Sequence, residues 1–168
     1  ELGAKSQHVL FLVPTGRAKA AGSGFPSNRE YEEAIRKALE MQSKTSLEIK
    51  PTCAPQFTRL AREMGLKTRY TRGCLAGISY CLVGPEGDVQ PCAYLPISVG
   101  NVREMSLDRI WSESPVFARL REMRYTGSCG KCSYKRICGG CRARAYEIGG
   151  DYLGPDPMCT YQGGSGSG

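Results

Sequence analysis

Histidine is nearly absent from this sequence of 168 residues, His8 being the sole one. A multi-histidine metal site is thereby excluded, and a Cys–His hydrolase is not expected. His8 opens a strand-like run and reads as structural. Tryptophan also occurs once, and aromatic residues make up 8%. The basic residues are not interleaved with aromatics as single-strand recognition requires, so no nucleic-acid partner is expected. No run approaches the roughly 20 apolar residues of a membrane span. Leu10–Val13 is also too short for the core of a signal peptide. The expectation is therefore no membrane partner and a reducing, cytoplasmic setting in which cysteines stay unpaired. A repeat with a period of roughly 20–50 residues is missing as well.

What is present is a loop-rich chain with enough apolar material for a core. Apolar residues make up 40%, alongside 21 glycines and 10 prolines. That size fits one domain, or one domain plus an arm. A small loop-rich chain with nine cysteines calls for a staple, and bound metal would supply it. The net charge of +7 suits an anionic partner. The tail Gly163-Gly164-Ser165-Gly166-Ser167-Gly168 has the composition of a flexible engineered linker and is set aside.

The cysteines are the strongest signal. Cys129, Cys132, Cys138 and Cys141 follow C-x2-C-x5-C-x2-C, and Cys159 comes behind Asp156-Pro157. Two cysteines in a tight turn can direct both thiolates at one metal or cluster. Gly130, Gly139 and Gly140 let the backbone approach the bound group. Disulfides, a buried thiol cluster and a four-cysteine zinc module are the alternatives.

Along the chain, His8–Pro14 reads as a strand buried on both faces, as in a parallel sheet. Ser27 and Glu30 make a capping box that opens a helix over 28–43, with Tyr31, Ala34, Ile35, Ala38 and Leu39 on its inner face. Leu47–Lys50 alternates like a short strand, which completes one βαβ unit. Pro55 begins a helix with Phe57, Leu60, Ala61 and Met64 on one face, and Gly65 stops it. Lys67–Thr71 is expected as a short strand. Ile78–Val83 and Asp88–Ala93 flank a turn at residues 84–87, giving a hairpin that carries Cys81 and Cys92, with Cys74 just before it. Leu107, Ile110 and Trp111 share one helical face. Ser114-Pro115 starts a further helix lined by Phe117, Leu120 and Met123.

From Cys74 to Cys159 the pattern resembles the SPASM region of radical S-adenosylmethionine (radical SAM) enzymes. It comprises Cys74, Gly87-x4-Cys92, the run from Cys129 to Cys141, and Cys159. The last two clustered cysteines are separated here by two residues, where that pattern has three. Four further stretches narrow the likeness: Leu10–Arg17, Lys50–Pro55, Gly73–Gly77 and Cys138–Tyr146. They are similar to the NirJ/AhbC/AhbD group, which edits tetrapyrrole side chains in haem d1 and alternative haem biosynthesis.

The resemblance implies an α+β fold: a small cysteine-rich SPASM-like domain over 67–162, preceded over 1–66 by a βαβ remnant of a partial (β/α) barrel. It implies two auxiliary [4Fe–4S] clusters with interleaved ligands, Cys74, Cys81, Cys92 and Cys141 for the first, and Cys129, Cys132, Cys138 and Cys159 for the second. Two such clusters would carry about −2 each and lower the net charge to about +3. The implied role is electron transfer in an enzyme acting on a sirohaem-derived or iron-coproporphyrin substrate, with an external electron carrier. A peptide-modifying SPASM enzyme is the other enzymatic reading. The C-x3-C-x2-C motif that holds the S-adenosylmethionine cluster is missing, so that cluster is expected in a preceding part, and this chain should be inactive alone. Arg17 is a candidate for pairing a substrate carboxylate. Cys53, ahead of a helix, is a candidate substrate-facing thiol or a buried structural one. Arg142 and Arg144 are expected to offset cluster charge, and Asp151 and Asp156 to shape turns.

Overall fold

The computed structural model describes residues 3–20 and 24–161; the Gly/Ser-rich tail at 163–168 lies outside them. The first strand, β1 (Ser6–Leu10), leads through the one-turn helix α1 (Arg17–Ala20) to α2 (Asn28–Ser43) and then β2 (Glu48–Thr52). The two strands pair in parallel, with Val9 opposite Pro51. The capping box forms at the start of α2. Ser27 Oγ accepts from the Glu30 amide at 3.3 Å, and the Glu30 carboxylate accepts from the Ser27 amide at 2.8 Å. Tyr31, Ile35, Ala38 and Leu39 are buried as their spacing implies. Ala34 instead faces outward, and Glu32 takes an inner place. That carboxylate is held there by Arg59, itself only 4% exposed, because a buried charge needs a partner.

The expectation of a first strand buried on both faces is corrected. β1 is exposed except at half-buried Val9, and Leu10 remains 69% exposed. Among the described residues the strand has a neighbour on one edge only, and α2 packs on β2. The apolar run reaches the interior beyond the strand, at Val13, which packs with Leu95, Cys141 and Ala143.

The next helix, α3 (Phe57–Glu63), lays Phe57, Leu60 and Ala61 against Tyr31, Ile35 and Leu39. Burying a large apolar side chain of this kind contributes roughly 1.5–3 kcal/mol. Gly65, at φ +67°, ends the helix as expected, with its amide and that of Leu66 bonding back to Arg62 and Ala61. Residues 67–71 do not form the expected strand. Thr68 bonds its hydroxyl to the Tyr70 carbonyl at 2.7 Å, while the Tyr70 hydroxyl reaches Glu48. Side chains, not a backbone ladder, tie this segment to β2.

The hairpin forms from β3 (Leu82–Val83) and β4 (Val89–Gln90), with shorter arms than expected. The other side of Val89 bonds to Val99 and Gly100, so a third segment takes up its backbone groups. Then come α4 (Leu107–Glu113) and α5 (Pro115–Arg121), the latter capped by Ser114, whose hydroxyl accepts from the Phe117 amide at 3.4 Å. Val89, Ile110 and Phe117 form their own apolar cluster. Leu107 is exposed, and Met123 lies past the helix at φ +52°, so neither belongs to its helix's inner face. Finally, α6 (Gly127–Lys131) and α7 (Arg142–Gly149) frame the cysteine loops. No described helix is long and apolar enough to cross a membrane.

Candidate metal centre

Among the described residues all nine cysteines are free thiols, and eight of them gather at two neighbouring clefts. One is lined by Cys129, Cys132, Cys138 and Cys159, the four expected to share the second cluster. Cys129 rides on α6, Cys132 ends that helix, and Cys159 follows the Asp156 loop. Backbone amides point at the sulfurs. Tyr134 donates to Cys132 Sγ at 3.4 Å, and Asp156 donates to Cys129 Sγ at 3.4 Å. Arg142, fully buried, adds Nη2 at 3.6 Å from Cys129 Sγ. Arg59 lines the same cleft, and its buried Nε has no partner among the described residues. Such donors favour a group rich in sulfur and negative charge.

Gly140 has a specific reason to be glycine. Its φ is +59°, and an added Cβ would lie 2.4 Å from Arg142 Nη2 and 3.2 Å from Cys129 Sγ. The turn therefore closes directly over the thiols.

The other cleft is lined by Cys53, Cys74, Cys92 and Cys141. Three of these were expected to share the first cluster. Cys81 is elsewhere, against the Val89, Ile110 and Phe117 cluster. Cys92 Sγ accepts from the Tyr94 amide at 3.3 Å, and Cys141 caps α7. The clefts share a wall, because the Cys74 amide donates to the Cys138 carbonyl at 3.1 Å and Gly73 to Ile137 at 2.7 Å. Tyr125 is buried with its hydroxyl unpartnered among the described residues, and burial pushes that hydroxyl up from its ordinary range.

Burial pushes the Cys92 and Cys159 thiols up to about 11 and the Cys141 thiol to about 12. Cys138 is raised further for the same reason. Desolvated thiols of this kind hold their protons until a cation replaces them. No three Cys, His, Asp or Glu side chains among the described residues converge closely enough to hold a single metal ion. The thiols ring two clefts instead.

A polar hub that the sequence did not reveal adjoins the clefts, with Gln56 and Asp156 lining the one around Cys129. Asp156, 3% exposed, accepts from Arg144 Nε at 2.9 Å and Nη2 at 2.8 Å. It also accepts from Gln56 Nε2 at 2.8 Å and the Cys141 amide at 2.7 Å. Burial alone would raise its carboxyl, but the Arg144 guanidinium outweighs this and holds it below the usual carboxylate range. Arg144 further donates to Tyr31 Oη at 2.8 Å and the Cys53 carbonyl at 3.1 Å. Asp156 thus does far more than shape a turn, whereas Asp151 does that, accepting from the Leu153 amide at 2.8 Å. Arg144 is a structural partner, and of the expected pair only Arg142 touches a thiol. Arg17 is exposed at the start of α1 and lines neither cleft.

Residues 74–142 match the model of SPASM, an iron–sulfur cluster-binding domain. Cys53 and Cys159 stand outside the matched SPASM residues, yet each lines one of the clefts. The whole chain is also similar to the "AdoMet-dependent heme synthase" of Methanosarcina barkeri, 42% identical over 98% of this chain and 50% of the relative. The protein of the same name from Nitratidesulfovibrio vulgaris is 40% identical over 96% of this chain and 47% of its own length. The "Mycofactocin maturase MftC" of Mycobacterium ulcerans matches at 38% identity over 52% of this chain. The chain spans about half the length of the heme synthases it matches, and the likeness to them runs well beyond the SPASM domain.

Proposed function

We propose that this chain is the auxiliary-cluster region of a radical SAM enzyme that edits tetrapyrrole side chains in haem biosynthesis, and that it holds two [4Fe–4S] clusters. The observation that carries the reading is the gathering of eight thiols around two adjoining clefts, four to each. The match of nearly the whole chain to proteins named AdoMet-dependent heme synthase supports the substrate class. The likeness to the mycofactocin maturase covers only about half the chain. Residues 67–162 are the cluster-binding part on this reading, and 1–66 continue a partial barrel. The one-sided pairing of β1 and the exposure of Leu10 and Leu12 favour a sheet continued by further strands.

In this assignment Cys129, Cys132, Cys138 and Cys159 hold the second cluster, and Cys74, Cys92 and Cys141 supply three thiolates to the first. Bound in this way, such clusters supply one-electron transfer. The protein's own groups set the conditions for it. Arg142 and Arg59 bring positive charge to the second cleft, and the amides of Tyr94, Tyr134 and Asp156 stabilise thiolate sulfur. The cleft around Cys74 is the roomier one, with a cavity volume of about 340 Å³ against about 20 Å³, and Tyr80 and Tyr94 are exposed at its rim. That rim is the face proposed for a flat aromatic macrocycle, with Lys50 as the candidate for its carboxylates. An external electron carrier and a cytoplasmic, reducing setting complete the reading.

The test is anaerobic purification followed by iron, sulfide and zinc analysis with an absorption spectrum. About eight irons and eight sulfides per chain are expected. A colourless protein carrying one or two zincs would overturn the proposal.

A further inference from the structure

Two clefts and nine cysteines leave one thiol over, and the structure leaves out a different one from the family pattern. We propose that Cys53, and not Cys81, is the fourth thiolate of the first cleft, joining Cys74, Cys92 and Cys141 around an iron–sulfur cluster. The inference rests on the cluster reading above and adds to it a ligand from outside the matched SPASM residues.

The argument is geometric. Cys53 lines the same cleft as the other three, while Cys81 does not. Cys81 instead packs against the apolar cluster of Val89, Ile110 and Phe117, where it acts as a small apolar side chain. Two contacts hold Cys53 in place. Its carbonyl accepts from Arg144 Nη1 at 3.1 Å and from the Tyr31 hydroxyl at 3.3 Å, both part of the buried hub. The loop that carries Cys53 also lies directly on the Cys74 segment. A Cβ built on Gly73 would fall 2.6 Å from Pro55 Cβ and 2.6 Å from the Cys138 carbonyl oxygen. Only a glycine there lets the two loops approach so closely, and this closeness brings Cys53 to Cys74.

Each thiol loses its proton to solvent as its sulfur bonds iron, so four cysteines contribute four negative charges to the assembled site. The expected set in each cleft is then four thiolates, with every iron of both cubes capped by a cysteine.

The experiment is anaerobic reconstitution of the whole chain with ferrous iron and sulfide, comparing wild type with Cys53→Ala, Cys53→Ser and Cys81→Ala. Iron and sulfide are counted, and the reduced protein is examined by electron paramagnetic resonance. Cys81→Ala is expected to keep about eight irons and the wild-type spectrum. Cys53→Ala is expected to fall toward about four, the remaining cluster showing that the second cleft has folded. Cys53→Ser, which offers an oxygen ligand of similar size, is expected to change the first cluster's signal while leaving the second unchanged. Loss of iron in Cys81→Ala, or full iron with an unchanged spectrum in both Cys53 variants, would overturn the assignment. Because Cys81→Ala leaves the proposed ligands intact, its result counts even if the Cys53 variants fold poorly. Failure of the cluster reading itself is visible separately, as zinc or no iron in the wild type.

Discussion

Replacing Asp156 with alanine tests whether the hub adjoining the clefts is a structural keystone or an ordinary turn. The carboxylate accepts from two nitrogens of Arg144, from Gln56 and from the amides of Cys141 and Met158, at distances of 2.7–3.1 Å. The Arg144 and Asp156 side chains are 2% and 0% exposed. Alanine would leave the guanidinium charged, buried and without its counter-ion, a change that costs about 3–5 kcal/mol. Against a total stability of about 5–15 kcal/mol for a domain, that is a large fraction. At roughly 2–4 °C per kcal/mol for a chain of this size, the thermal midpoint should fall by about 6–20 °C. The assay is thermal unfolding of the cluster-loaded protein by circular dichroism, with all variants scanned at one rate because cluster loss makes unfolding irreversible. Asp151→Ala is the internal control. Its carboxylate is exposed and serves a local turn, so its midpoint should move by less than about 0.5 kcal/mol allows. Equal midpoints for Asp156→Ala and Asp151→Ala would refute the reasoning.

Four shorter predictions accompany it. Gly140→Ala places a Cβ against Arg142 and Cys129 Sγ at a left-handed position, so bound iron should drop by about half, from the second cleft; an unchanged iron count would count against the close approach. Arg142→Met removes the positive donor 3.6 Å from Cys129 Sγ, and the second cluster's midpoint potential should become more negative by on the order of 50 mV, read by redox titration. Ser27→Ala removes the hydroxyl that accepts from the Glu30 amide at the start of α2 and should cost about 1 kcal/mol, measured by denaturant unfolding. Removing iron with a chelator should raise amide hydrogen exchange beyond about Gly73 much more than in α2, because the clefts lose the groups that staple their loops; uniform protection would contradict this.

Legibility in the sequence followed how local each cause was. The α2 cap at Ser27 and Glu30, the Gly65 stop and the Ser114-Pro115 start depend on residues within one turn of each other, and each was readable from its own few residues. The course of β1 was not, because its apolar run says nothing about what lies beside it. Residues 67–71 failed as a strand for a related reason, since the Tyr70 hydroxyl on Glu48 replaces a backbone partner. At the clefts, the family likeness grouped Cys129, Cys132, Cys138 and Cys159, which the fold brings to one place. The position of Cys53 beside Cys74 depends on contact between loops 20 residues apart in sequence. The role of Asp156 depends on Gln56, a hundred positions away. A Gly/Pro-rich neighbourhood made that aspartate look like a turn former, and no local pattern distinguishes it from Asp151.

The interleaving of the two clefts also has a consequence for synthesis. Cys138 and Cys141 are three positions apart yet face different clefts. As the chain emerges from the ribosome, the cleft containing Cys53 lacks a wall until Cys141 has appeared, and the other waits for Cys159. Neither can be filled by an early fragment. On the proposed assignment, iron delivered before Cys141 and Cys159 have appeared would meet thiols still free to combine in the wrong sets, and the cleft completed by Cys141 is ready first.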